Sequence, residues 1–247
     1  MTIDRIEKRI IKDARKIIKY KNKYKGKRCF IIGNGPSLKM EDLNLLYKNN
    51  EICFGSHRIY LAFNNTKWRP NFYTIQDTKM MNEYYYEIEA LKIKQKFVAY
   101  PYELHQSFPI FKSFLSVKMI FENFFPYCPN FSKDLSKGIY EGWTVSYFNI
   151  QLAVYMGFEK IYLLGIDHHY SKTKSPNGII IENDTKDNFC DEYIQKNENR
   201  NLPQVDKSTL AYLKSNVLSR YNNFRIYNST RGGKLEIFER VNFESIL

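Results

Sequence analysis

The sequence is poor in the residues that build metal and redox centres. Its four cysteines, Cys29, Cys53, Cys128 and Cys190, are scattered without a Cys-x-x-Cys spacing, and only four histidines occur in 247 residues. Zinc ribbons and dithiol redox pairs are thereby excluded, and Cys29 and Cys53, inside apolar runs, read as reduced core residues. Long hydrophobic runs are missing too. No stretch approaches the ~20 apolar residues of a membrane span, and the N-terminus alternates charge with isoleucine where a secretory signal carries an apolar core. The expectation is a cytoplasmic protein. Internal repeats, low-complexity tracts and nucleic-acid-binding motifs are also absent, so nucleic acid is not an expected partner.

What is present is globular in character: 43% hydrophobic and 16% aromatic residues, enough for one large domain. Charge is uneven. Residues 1–28 hold twelve Lys/Arg against three acids, so this segment carries +9 of the net +12. Ile3, Ile6, Ile10, Ala14 and Ile17 fall at helical spacing, with Ile11 and Ile18 widening the stripe. A basic amphipathic helix over 1–26 follows. It either packs its isoleucine face on the domain or contacts an anionic membrane, which would put the protein on the inner face of the cell membrane.

Short apolar runs that stop in polar residues organise the rest, as in a parallel sheet with both faces covered. Strands are expected over 27–33, 51–55, 71–75, 96–100, 161–166 and 224–228, with helices over 40–47, 79–91, 144–156 and 207–221. The fold class is α/β: a Rossmann-like, mostly parallel sheet flanked by helices, spanning 27–247 as a single nucleotide-binding domain. Two stretches break the periodicity. Residues 102–140, interrupted by Pro109, Pro126 and Pro129, read as an inserted lid, and the polar 171–206 as a mobile substrate loop.

Ligands of such sheets sit beyond the carboxyl ends of the strands. Gly33-Asn34-Gly35-Pro36-Ser37-Leu38 ends the first strand, without the third glycine of a Rossmann fingerprint or a Walker lysine. Its small residues would let backbone N–H groups approach a phosphate, with Asn34 and Ser37 adding polar contacts; a plain strand-to-helix turn is the alternative. Gly165-Ile166-Asp167-His168-His169-Tyr170 ends a later strand. Asp167 or His168 suits a general base or a contact to a sugar hydroxyl, with a divalent metal on Asp167 and one histidine, or a structural turn, as alternatives. Ser56, Arg58, Gln76 and Asp77 lie beyond neighbouring strand ends. Thr144 opens a helix and either caps it or binds an anion, and Arg231 and Lys234 in a glycine turn could neutralise a phosphate. His105 reads as a surface or packing residue.

These segments, with Ile226 to Glu236 at the C-terminal end, resemble the bacterial family 42 sialyltransferases. They resemble still more the 6-hydroxymethylpterin diphosphokinase MptE-like family, common in surface-glycan gene clusters. The sialyltransferase resemblance implies a CMP-sialic acid donor, no metal, and donor-binding roles for Asn34 and Thr144. It also implies a catalytic histidine before the last helix, but residues 183–207 contain none, and a second donor asparagine is replaced by Ser56. A base would then come from His168, His169, Asp167 or Asp187. The diphosphokinase resemblance implies pyrophosphate transfer from ATP to a pterin alcohol, with Mg²⁺ held by Asp77 and Asp167. The leading expectation is a glycosyltransferase of bacterial surface polysaccharide or lipooligosaccharide biosynthesis that needs no cofactor. Its partners would be a nucleotide-activated sugar, a CMP-nonulosonate among them, and a glycan or glycolipid acceptor. The diphosphokinase and a non-catalytic glycan-binding scaffold stand as alternatives, and a homo-oligomer is left open.

Overall fold

In a computed structural model, residues 2–101, 108–193 and 201–247 are described. Helix α1 (Thr2–Ile17) precedes strand β1 (Arg28–Ile32), helix α2 (Met40–Lys48), β2 (Cys53–Ser56) and β3 (Phe72–Ile75). Helices α3 (Thr78–Glu83) and α4 (Tyr85–Glu89) lead to β4 (Gln95–Tyr100), β5 (Leu115–Ile120) and β6 (Ile139–Tyr140). Helix α5 (Val145–Met156), β7 (Lys160–Leu164), a hairpin of β8 (Lys172–Lys174) and β9 (Ile180–Glu182), α6 (Val205–Tyr221), β10 (Arg225–Asn228) and β11 (Glu239–Arg240) follow. The fold is α/β: nine strands form one sheet in the order β11-β10-β7-β1-β2-β3-β4-β5-β6, paired in parallel throughout.

Alternation along the strands divides the core. Cys29, Ile31, Phe54, Phe72, Ile161 and Leu163 face the α5 layer. Phe30, Ile32, Tyr73, Ile75, Tyr162 and Leu164 face the layer of α2, α3 and α4. Helix α5 is buried almost all round, which explains why its sequence is apolar or small on nearly every side; Thr144 caps its start and Gly157, at φ 88°, ends it.

Three expectations change. The stretch 102–140 supplies β5 and β6 to the main sheet and is not an inserted lid: the alternating Leu115, Val117 and Met119 pair with β4, and the prolines lie outside the strands. Residues 102–107, with His105, lie outside the described residues. The single helix expected over 79–91 breaks at Tyr84 into α3 and α4. Within 171–206 the chain forms the β8–β9 hairpin, tied back by two hydrogen bonds from Ser171 to Asp187, the hydroxyl one at 2.8 Å.

Helix α1 docks its isoleucine face on the domain, with Ile6 and Ile17 buried, while Ile11 and Ile18 stand 59% and 55% exposed and do not widen the stripe. In their place Asp13 is fully buried, accepting from Arg9 at 2.7 Å, Lys16 at 3.0 Å and the Ser116 N–H at 3.1 Å. Among the described residues no helix is long and apolar enough to cross a membrane.

Candidate functional site

The chain leaves β1 toward β2 and later returns to β1's other side as β7, so a crevice opens where the strand order reverses. Gly33 N–H donates to Leu164 O at 2.7 Å and Gly35 N–H to Gly165 O at 2.9 Å. A Cβ on Gly33 would meet the Gly165 backbone, and one on Gly35 the Asp167 carboxylate. These glycines are therefore required by the close approach of two strand ends. Their N–H groups are spent on the Leu164 and Gly165 carbonyls at the end of β7, which corrects the expectation that they face a phosphate.

Beyond this junction lies a cavity of about 440 Å³, a size suited to a small-molecule ligand. Of the residues nominated from sequence, Gly33, Asn34, Gly35, Ser56, Gln76 and Asp77 line it at or just past the ends of β1, β2 and β3, and Gly165, Asp167 and His168 just past the end of β7. Thr144 lines it from the start of α5, where its hydroxyl accepts from Ser146 N–H at 3.3 Å and lies 3.3 Å from the Tyr212 hydroxyl. Thr144 is thus both a helix cap and a wall of the cavity. His169 and Asp187 line it as well.

The other nominated residues do not reach it. Ser37, following Pro36, sits behind Asp167, donating its hydroxyl at 2.8 Å to the carboxylate. Arg58 is buried with its guanidinium 4.2 Å from the Tyr84 ring and donates to the Glu192 and Tyr193 carbonyls, so it holds a loop. Arg231 forks onto buried Asp42 at 2.7 and 2.8 Å and also pairs with Glu244. Lys234 donates its backbone N–H to Asp167 O at 2.7 Å and exposes its side chain. The glycine turn supports the Asp167 backbone; it does not bring Arg231 or Lys234 to the cavity.

Asp77 is also engaged: it caps α3, with one oxygen accepting from Met80 N–H at 2.9 Å and the other from Asn201 at 3.1 Å. Burial raises the Asp167 carboxyl, and the Ser37 hydroxyl and N–H oppose it. Burial pushes His168 down to about 4, so it is neutral at physiological pH. Its Nε2 lies 2.8 Å from Thr209 Oγ1, whose own hydrogen goes to Val205 O at 2.7 Å. Nε2 is therefore the donor, and Nδ1 carries the lone pair.

Sequence reasoning missed several cavity residues. Glu141, at the end of β6, lines the cavity with only 8% exposure and accepts from Trp143 N–H at 2.6 Å. Burial, opposed by that N–H and by Lys207, pushes its carboxyl up to about 7. A carboxyl held there is matched to proton transfer near neutral pH. Among the described residues, three that line the cavity also carry buried polar atoms without a partner: Asn34 Oδ1, His57 Nε2 and Asn188 Oδ1. Asn34 commits its Nδ2 to Ser56 O at 3.2 Å, which fixes its Oδ1 as a bare acceptor. His57, Trp143 and His168 all take left-handed φ values of 52–56°, backbone strain that collects around this one cavity. Among the described residues no three His, Cys, Asp or Glu side chains gather as a metal cluster.

The MptE-like family, described as 6-hydroxymethylpterin diphosphokinase MptE-like, matches residues 7–173. A search of the curated proteins finds no match. Among solved structures, the MAf glycosyltransferase from Magnetospirillum magneticum AMB-1 is similar, with a TM-score of 0.50 and 13% identity. The alignment covers 96% of this chain and 39% of that one, a likeness of fold. This chain belongs to the MptE-like family.

Proposed function

We propose that this member of the MptE-like family is a transferase that moves a sugar from a nucleotide-activated donor to a hydroxyl of a glycan or glycolipid, a step in bacterial surface polysaccharide or lipooligosaccharide assembly. The observation that carries the reading is the set of bare acceptors on Asn34 and Asn188, beside the neutral His57, around a cavity that also holds Glu141. An unpaired buried acceptor costs roughly 1–3 kcal/mol, and a ligand rich in hydroxyls or amines supplies the missing donors.

In the reaction the acceptor oxygen attacks the anomeric carbon as the bond from that carbon to the donor phosphate breaks. Glu141 takes the acceptor's proton and the nucleotide leaves with the bonding pair. Asn34 orients the donor through Oδ1, and the start of α5 at Thr144 faces the leaving phosphate with the positive end of its dipole. His168 Nδ1 is the second candidate base, weaker because the ring's conjugate acid titrates near 4. Asp167 acts through position, holding Ser37 and the turn; Asp167→Asn should lower turnover less than tenfold.

The family's description supports a second reading, pyrophosphate transfer from ATP with Mg²⁺. The residues suit that ion less well: Asp77 has both oxygens engaged, and Asp167 gives one of its oxygens, Oδ2, to Ser37. Incubation with CMP-, UDP- and GDP-sugars, with and without EDTA, tests the proposal by nucleotide release. Release from at least one donor in the presence of EDTA is expected. No release from any donor, together with AMP formation from Mg-ATP and a hydroxymethylpterin, would overturn it.

A further inference from the structure

A second cavity, of about 380 Å³, lies at the other end of the strands, between the end of α1 and the starts of β4 and β5. Among the described residues five lysines line it, Lys16, Lys19, Lys23, Lys94 and Lys96, and no carboxylate does. We infer that this lysine groove binds a phosphate-bearing anion, independently of the reaction at the carboxyl ends of the strands.

Surface lysines normally alternate with acids, and these do not. Lys16 is paired with Asp13 at 3.0 Å, and the Glu89 carboxylate acts on Lys96 without a salt bridge. Among the described residues, Lys19, Lys23, Lys94 and Lys96 form no salt bridge. The carboxyl end of α1 attracts cations through its dipole, which accounts for Lys16 and Lys19 but not for the three lysines brought by other segments. The walls are also shaped. Lys23 Nζ lies 5.4 Å from the Tyr20 ring centre, and the Tyr20 hydroxyl donates to Gln95, which joins the α1 end to β4.

Lys96 makes this more than a collection of mobile surface chains. It is 5% exposed, and its Nζ is fixed by the Glu89 and Leu91 carbonyls at 3.1 and 2.8 Å and lies 4.8 Å from the Phe114 ring centre. Burial lowers its affinity for the proton. A multiply charged anion in the groove would meet the Lys16, Lys19, Lys23 and Lys94 ammonium groups together, which a monovalent counterion cannot do, while Lys96 holds the wall in place through its two carbonyl bonds. The solvent side of α1 presents exposed Arg5, Lys12 and Arg15, Lys8 paired with Asp4, and exposed Ile11, with exposed Ile18 just past the helix end. The phosphate can come from a soluble molecule or from a lipid headgroup, and the same groove chemistry serves both.

The full-length protein and its Lys19→Gln/Lys94→Gln variant, whose changes lie outside the core, separate these sources. One arm titrates inorganic pyrophosphate; the other sediments the protein with phosphatidylglycerol–phosphatidylcholine vesicles or with phosphatidylcholine alone. Binding of pyrophosphate or of the anionic vesicles, weakened at least tenfold in the variant, is expected, and the arm that responds names the source. Binding of neither, or equal binding by the variant, would overturn the assignment.

Discussion

Replacing Glu141 with glutamine should make the protein more stable and less active at the same time. The unfolded carboxyl ionises near 4.5 and the folded one near 7. Between these values the folded state holds more protons than the unfolded state, so the group's contribution to stability falls as pH rises through the window. At about 1.4 kcal/mol per pH unit, ionised Glu141 costs the folded state about 3 kcal/mol above pH 7. Glutamine keeps an oxygen to accept from Trp143 N–H and cannot ionise. At pH 8 Glu141→Gln should therefore melt higher by roughly 5–10 °C for a domain of this size, and at pH 4 the two proteins should melt nearly together. Turnover of the sugar donor should fall ~100-fold or more, the usual worth of a general base. Calorimetric scans across pH 4–8 beside a nucleotide-release assay measure both. A variant no more stable than the parent at pH 8 would refute the claim that burial raises the Glu141 carboxyl to about 7.

Other consequences follow from the same geometry. Gly35→Ala places a methyl group against the Asp167 carboxylate and 2.9 Å from Gly165 O, so it should lower the melting temperature and weaken nucleotide binding together, read by thermal unfolding with and without ligand. Arg231→Gln leaves buried Asp42 without its forked partner and should cost about 2–3 kcal/mol of stability in urea unfolding, discounted for the arginine's partial exposure. Nucleotide binding per folded molecule should be unchanged. Burial alone would raise the Asp13 carboxyl, but its bonds to Arg9, Lys16 and Ser116 outweigh that and hold it below 3.8. Its contribution is present above that value and lost as pH falls below it. Asp13→Asn should therefore destabilise the protein at pH 7, and the deficit against the parent should shrink on acidification.

The sheet's central strands were legible because both faces are buried, which leaves runs such as Phe30-Ile31-Ile32 and Ile161-Tyr162-Leu163-Leu164 apolar without a break. The crevice followed from the glycines and polar residues at their ends. Strands β5 and β6 were hidden because prolines near them dominate the local pattern and β6 is only two residues long. Missing β6 meant missing Glu141, whose place in the cavity depends on that strand's end. Arg231 and Lys234 were misjudged for another reason. A cation in a glycine turn reads alike whether it meets a ligand or a buried carboxylate, and Asp42, 189 residues earlier, is invisible to local pattern. Asp13 broke the rule that a buried helix stripe is apolar, because three donors converge on it from α1 itself and from β5.

The central claim is that the crevice between β1 and β7 binds a nucleotide-activated sugar. The most direct measurement is calorimetric titration of the purified protein with CMP, CDP, UDP, GDP, ADP and ATP, each with and without magnesium, alongside the Gly35→Ala variant. The account predicts metal-independent binding of a sugar-carrier nucleotide, CMP foremost, that is lost in the variant. Binding of ATP alone and only with magnesium, or nucleotide binding untouched by Gly35→Ala, would contradict it.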